Sequence, residues 1–260
     1  MSTRHLLGGA VMSLAAATSA LAQAPGNTLD TVQSRGSLAI CTTGDYKPFT
    51  YQAAGSESFE GIDIELGRSL AKAIGVEARY VKTKWSDLMA DFTAGKCDIA
   101  MGGISVTLER QKRAFFSAPY LVNGKAPIAR CADKDRFATL DGIDKPNVTV
   151  IVNPGGTNER FVRGALKNAK IETFPDNRTI FDEVLAGRAD LMVAESVEVK
   201  LQEKLRPGLC AIKPDEPLQY GEMGYLLPKG DVVFKAFVDQ WLHLAKASGE
   251  FGKLFDANMK

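Results

Sequence analysis

Asn153-Pro154-Gly155-Gly156-Thr157-Asn158-Glu159 opens, and Ala194-Glu195-Ser196-Val197-Glu198 closes, the stretch whose reading decides the fold. Its two glycines lie between an apolar run at 148–152 and an amphipathic one carrying Phe161, Val162, Ala165 and Leu166. That pattern is a strand-to-helix corner, where free backbone N–H groups at the helix start can hold an anion. A second apolar strand, 191–193, delivers Glu195 and Glu198 three residues apart at another such corner. An anion holder and an acidic pair at neighbouring strand ends describe a site for a small organic acid that also needs a proton or a cationic partner.

The same alternation extends in both directions. Upstream, a strand at 38–42 leads into the loop 43–49, and Ile62, Ile64, Leu66, Leu70, Ala71 and Ile74 recur at helical spacing before Gly75. A strand at 78–81, a helix at 85–94 and a strand at 97–101 follow, the last opening into Gly102-Gly103-Ile104-Ser105. After a linking strand at 125–131 comes a second set: strands 148–152, 171–174 and 190–193 with helices 157–169, 179–186 and 196–205. A returning stretch at 220–227 leads to two helices, 232–247 and 250–259, expected to pack on the first lobe. The fold class is therefore α/β, two lobes each with a mainly parallel sheet flanked by helices, and ligand in the cleft at the strands' carboxyl ends. Residues 92–101 echo 184–193 in pattern, which makes Gly103 and Glu195 equivalent strand tips, or else reflects what any helix-to-strand corner looks like.

Composition narrows the function. Of 260 residues 45% are hydrophobic and 24% charged, which suits an ordinary globular chain, and a net charge of +1 leaves a polyanion such as nucleic acid no footprint. Met1-Ser2-Thr3-Arg4-His5, an apolar segment at 6–21 and the small-x-small sites Ala20-Leu21-Ala22 and Ala22-Gln23-Ala24 read as a secretory signal peptide, 1–24. No later segment is apolar for long enough to span a membrane, so the mature chain is expected free in the periplasm. Of the four cysteines, Cys131 and Cys210 bracket the second set and are expected to form a disulfide in that compartment. Cys41 and Cys97 are expected to be unpaired, small buried hydrophobes. With His5 in the signal and His243 alone in a helix, neither a metal site nor a cofactor is expected.

Five stretches, Gly44-Asp45-Tyr46-Lys47-Pro48-Phe49, Gly61-Ile62-Asp63-Ile64-Glu65, Trp85-Ser86-Asp87-Leu88, the run 103–110 and Phe116-Ser117-Ala118-Pro119-Tyr120, resemble motifs of the periplasmic solute-binding proteins of the polar amino-acid type. The resemblance covers nearly all of the mature chain. It implies a first lobe of 25–130 and 221–260, a second of 131–220, and two crossing strands near Arg130 and Tyr220. Within that family the chain is most similar to a catalytic branch, the cyclohexadienyl dehydratases, through Thr42 to Phe49, Ile151 to Glu159 and Pro175-Asp176-Asn177-Arg178-Thr179-Ile180-Phe181. That branch aromatises prephenate to phenylpyruvate or arogenate to phenylalanine, and Glu198 stands where it has its general acid. It tends to show Thr-Asp where this chain has Ala194-Glu195, a departure that keeps a carboxylate on a longer arm.

The residues suit this chemistry in stated ways. A general acid contributes typically ~10² to 10⁴-fold when its pKa is lifted toward neutrality. Glu195 beside Glu198 in a closing cleft works toward that, whereas a helix start works against it. By residue pattern alone, an ordinary acid at a helix N-terminus is the commoner reading of Glu198, and only the family resemblance reverses it. Arg110 is the candidate to grip a substrate carboxylate, or a surface partner of Glu109 or Asp87. Thr157 and Asn158, with the Gly155-Gly156 turn, are expected to hold a carboxylate from the other lobe, or to act as a plain helix cap. Tyr46 and Trp85 are expected to frame a flat ring, or to serve as packing, Ser105 to donate to a substrate oxygen, or to cap the following helix, and Gly103 to line the cleft. A transport-linked amino-acid binder, in which Glu195 receives an α-amino group and Glu198 is incidental, is the competing reading, because the fold is shared.

Overall fold

The computed structural model describes residues 26–260; the expected signal peptide, 1–24, lies outside the described residues. The strand Ser37–Thr42 is buried along almost its whole length and pairs in parallel with Glu77–Lys82 on one side and Ile99–Ala100 on the other. The helix Ile62–Ile74 connects the first two of these strands. It turns Ile62, Leu66, Leu70 and Ile74 onto the sheet and ends at Gly75, whose φ of 87° is the left-handed cap that glycine supplies without steric cost. The first sheet runs Glu77–Lys82, Ser37–Thr42, Ile99–Ala100, Leu226–Leu227, Phe115–Phe116. Phe234, Val238, Trp241 and Leu242 of the helix Val232–Ala247 join the core of this lobe, with Phe251, Leu254 and Phe255 of Glu250–Asn258 packed against it.

The second sheet runs Leu209–Ala211, Leu121–Arg130, Leu191–Glu195, Thr149–Val152, Lys170–Thr173, with Gln219–Met223 also paired to Leu121–Arg130. Pairing is parallel where strand-helix-strand units build the sheets and antiparallel where the chain passes between lobes. The strand Leu121–Arg130 is hydrogen-bonded throughout within the second sheet. The passages between lobes are the antiparallel segments 121–125 and 219–223, in register from Leu121↔Met223 to Lys125↔Gln219.

One cysteine expectation is corrected. Cys41 and Cys97 form a disulfide, with Cα atoms 5.6 Å apart. Reading each cysteine as core of its own strand missed that Ile40 pairs with Ile99, which brings the approach to the second strand alongside the first. Cys131 and Cys210 are bonded as well, Cα atoms 4.8 Å apart, where Leu209 pairs with Arg130. Among the described residues no helix is long and apolar enough to cross a membrane.

Candidate active site

The strand Leu191–Glu195 is buried along its whole length and passes directly into the helix Ser196–Leu205, so Glu195 occupies the N-cap position, without a side-chain capping bond, and Glu198 lies in the first turn. Across the cleft, the strand Ile99–Ala100 opens into Gly102 and Gly103, both at positive φ, and then Ser105. A side chain at Gly103 would put its Cβ 2.4 Å from the Tyr46 ring, so glycine is what lets this tip lie on the aromatic wall. Trp85 precedes the helix Leu88–Thr93, in a turn rather than in the longer helix expected. Its indole donates to Asp45 at 3.0 Å and meets the Tyr46 ring edge-on, centroids 5.8 Å apart.

These tips enclose a cavity of about 30 Å³. From the first lobe Tyr46, Trp85, Gly103 and Ser105 line it; from the second, Asn153, Gly156, Thr157 and Asn158 on one strand end and Asn177, Glu195 and Glu198 beside them. Space for about two waters remains, far too little for a ring-bearing acid, so this is a closed cleft that must open to load. Ser105 donates to Glu195 Oε1 at 2.7 Å and lies 3.0 Å from the Thr157 hydroxyl, and Asn177 donates to the Asp45 carbonyl at 3.1 Å. All three contacts join one lobe to the other.

Lys125 is the residue that sequence reasoning missed. Buried at the middle of the long strand, its ammonium pairs with Glu195 and donates to Thr157 Oγ1 at 2.8 Å and Asn158 Oδ1 at 2.6 Å. Burial pushes its pKa down, against the pull of Glu195. A lone lysine amid Gly124, Ala126 and Pro127 carries no motif; only the pairing of Lys125 with Glu195 across two strands reveals it. Glu195 accepts from Asn123 as well, at 2.7 Å, so the carboxylate already has three donor residues beside Thr157.

Glu198 differs. It is 2% exposed, lines the cavity and has no side-chain hydrogen bond among the described residues. Burial pushes its carboxyl well above the usual range, with the neighbouring charges of Glu195 and then Asp45 acting in the same direction. A raised pKa favours the protonated form, in which this carboxyl is a donor without a partner among the described residues. The Tyr46 hydroxyl and Asn177 Oδ1 are buried without partners among the described residues.

Residues 38–260 match the bacterial extracellular solute-binding proteins, family 3. The chain belongs to this family. Among its relatives, the cyclohexadienyl dehydratase of Pseudomonas aeruginosa is 48% identical over 248 residues, 95% of this chain and 91% of that protein. The crystal structure of an ancestral cyclohexadienyl dehydratase is 46% identical, with a TM-score of 0.58, over 91% of this chain and 98% of that one. An ancestral amino acid-binding protein described as a precursor of cyclohexadienyl dehydratase is 34% identical, with a TM-score of 0.82, over 90% and 100% of the two chains.

Within this solute-binding fold, eight of the nine ligand or catalytic candidates read from the sequence line one cavity, and Arg110 does not. Arg110 is 4% exposed and donates through Nη1 to the Ser105 carbonyl at 2.8 Å, while its Nε has no partner among the described residues. Burial, with Arg160 nearby, lowers its pKa to about 10. It therefore lies behind the wall that Ser105 forms. The Gly155 N–H, expected to be free for an anion, is taken by the Glu159 carboxylate at 2.7 Å. Gly103 lines the cavity, but its N–H is committed to Asp63. In this closed form the groups turned to the cavity are a carboxyl of raised pKa, hydroxyls, amides and two aromatic rings, around one buried lysine–glutamate pair.

Proposed function

We propose that the chain is a periplasmic dehydratase that aromatises prephenate, arogenate or both, with Glu198 as general acid. The observation that carries this reading is the Glu198 carboxyl: buried, without a hydrogen-bond partner, raised in pKa and facing the cavity. A carboxyl held in that state has a proton to give and nothing but ligand to give it to. In the reaction the bond from the ring to its carboxylate breaks and leaves carbon dioxide. That electron pair moves through the ring, and the C–O bond at the opposite carbon breaks as Glu198 hands its proton to the leaving oxygen, which departs as water. Tyr46 and Trp85 frame the ring, and Lys125, Thr157 and Asn158 receive a substrate carboxylate as the cleft opens and recloses. The resemblance to the Pseudomonas aeruginosa enzyme supports the same substrate class.

The competing reading, a non-catalytic amino-acid binder, draws on the likeness to the ancestral amino acid-binding protein. It needs Glu195 free to receive an α-ammonium group. Lys125, Asn123 and Ser105 already occupy that carboxylate with donors, which argues against an amine there and for a keto acid. Incubating the purified protein with prephenate and following phenylpyruvate tests the proposal. Turnover is expected in the native protein, with kcat reduced at least about 10²-fold in Glu198→Gln and binding retained. Absence of turnover combined with tight binding of an amino acid would establish the transport reading instead.

A further inference from the structure

Asp63 is fully buried in the first turn of the helix Ile62–Ile74, outside the cavity, and its carboxylate accepts three hydrogen bonds. Gly103 N–H donates at 2.7 Å, the Tyr120 hydroxyl at 2.9 Å and the Tyr225 hydroxyl at 2.9 Å. These donors come from three different segments. Gly103 is the first-lobe tip that lies on Tyr46. Tyr120 immediately precedes the outgoing passage between lobes, and Tyr225 closely follows the returning one. The two tyrosine rings stack at 4.8 Å, and Tyr120 N–H donates to the Met223 carbonyl at 2.9 Å. The tip is also stitched to the returning passage: Val106 N–H donates to the Glu222 carbonyl at 2.8 Å, and Gly224 N–H to that of Ile104 at 3.1 Å.

From this arrangement we infer that Asp63 is a positioning residue for the candidate active site, fixing the Gly103–Ser105 tip in register with both passages about which the lobes close. Its reach into the cavity is indirect. Asp63 sets Gly103, Gly103 sets the Tyr46 ring and through it Trp85, and two residues on Ser105 meets Glu195 of the other lobe. Only an acceptor able to take three donors does this; a buried carboxylate with fewer would be left short of the hydrogen bonds that offset its burial. Burial drives the Asp63 carboxyl up to about 6, with the Gly103 N–H and the two tyrosine hydroxyls drawing it back. An apolar packing role would have no use for such a group.

The inference rests on the proposed dehydratase reading for its substrate, so the test separates the two. In a Glu198→Gln background, where turnover is expected to be slowed at least about 10²-fold, the affinity for prephenate is measured by calorimetry with Asp63 intact and as Asp63→Asn. Asn keeps the shape but offers one acceptor atom, so the affinity is expected to fall about 10-fold as the closed form loses population. Folding is monitored by far-ultraviolet circular dichroism. The pair Tyr120→Phe and Tyr225→Phe removes two donors and keeps both rings; it is expected to weaken binding in the same direction, by about threefold, and it decides the matter if Asp63→Asn does not fold. Unchanged affinity in the folded variants overturns the inference. If the Glu198→Gln protein binds no prephenate at all, the substrate assignment fails instead. The ligand-free near-ultraviolet signal of the Tyr46–Trp85 contact then serves, and no change in it on Asp63→Asn overturns the positioning role.

Discussion

Glu198 and Glu195 are three residues apart yet live in opposite circumstances. Glu195 has a buried cation and two neutral donors, whereas Glu198 has burial and two like charges. The protonated form of Glu198 is the one that acts, so activity is present below its raised pKa and is lost as pH rises through it. Glu195→Gln removes a like charge, which lets the Glu198 carboxyl ionise at lower pH. The basic limb of the kcat profile is therefore expected to move to lower pH in that variant, with turnover still measurable at acidic pH. A limb that stays in place would show that Glu195 does not tune the acid. Lys125→Met is expected to be harsher, because it strands the Glu195 carboxylate in a buried site. Breaking such a pair costs roughly 3–5 kcal/mol, read as a lowered midpoint in denaturant titration.

The elements meet across the cleft at one tight point. Gly155 has φ 85°, and a methyl there would sit 2.5 Å from the Ser86 backbone of the facing lobe. Gly155→Ala is therefore expected to wedge the lobes and raise KM at least about 10-fold, with the strained backbone costing only about 1–2 kcal/mol of stability. Substrate affinity equal to that of the native protein would mean that the substrate-bound cleft does not bring these two turns this close. The glycines and the corners they make were legible in the sequence, as was the convergence of Tyr46, Trp85, Ser105, Thr157 and Glu198, because each lies at a strand end in a recognisable stretch. What pairing between distant strands creates was not. Lys125 meets Glu195 through a register of antiparallel strands 70 residues apart, and Cys97 reaches Cys41 through a parallel one. Arg110 stands apart from the cavity in this closed form for a related reason: its spacing from Ser105 suits a ligand contact, but its guanidinium folds back onto the Ser105 carbonyl.

At the scale of the molecule, each lobe carries one disulfide, which ties a strand residue (Cys41 or Cys210) to a residue just outside the end of a neighbouring strand (Cys97 or Cys131), and no cysteine lines the cavity. The bonds close sequence separations of 56 and 79 residues. Because loop entropy grows only with the logarithm of length, the two should stabilise almost equally, by about 2–4 kcal/mol each. Serine at both members of either pair is expected to lower Tm and leave kcat unchanged at temperatures where the variant is folded. With the pairs in separate sheets and sharing no partner, the losses should add to within about 0.5 kcal/mol in the fourfold variant. Calorimetry of the two double variants and their combination measures this. A combined loss well beyond the sum would mean that the lobes support each other through the passages at 121–125 and 219–223, so that loosening one sheet loosens the other. In that case the Cys131–Cys210 bond, adjoining the far end of the strand that carries Lys125, would be expected to alter KM as well as Tm, and the independence of the two sheets would be refuted.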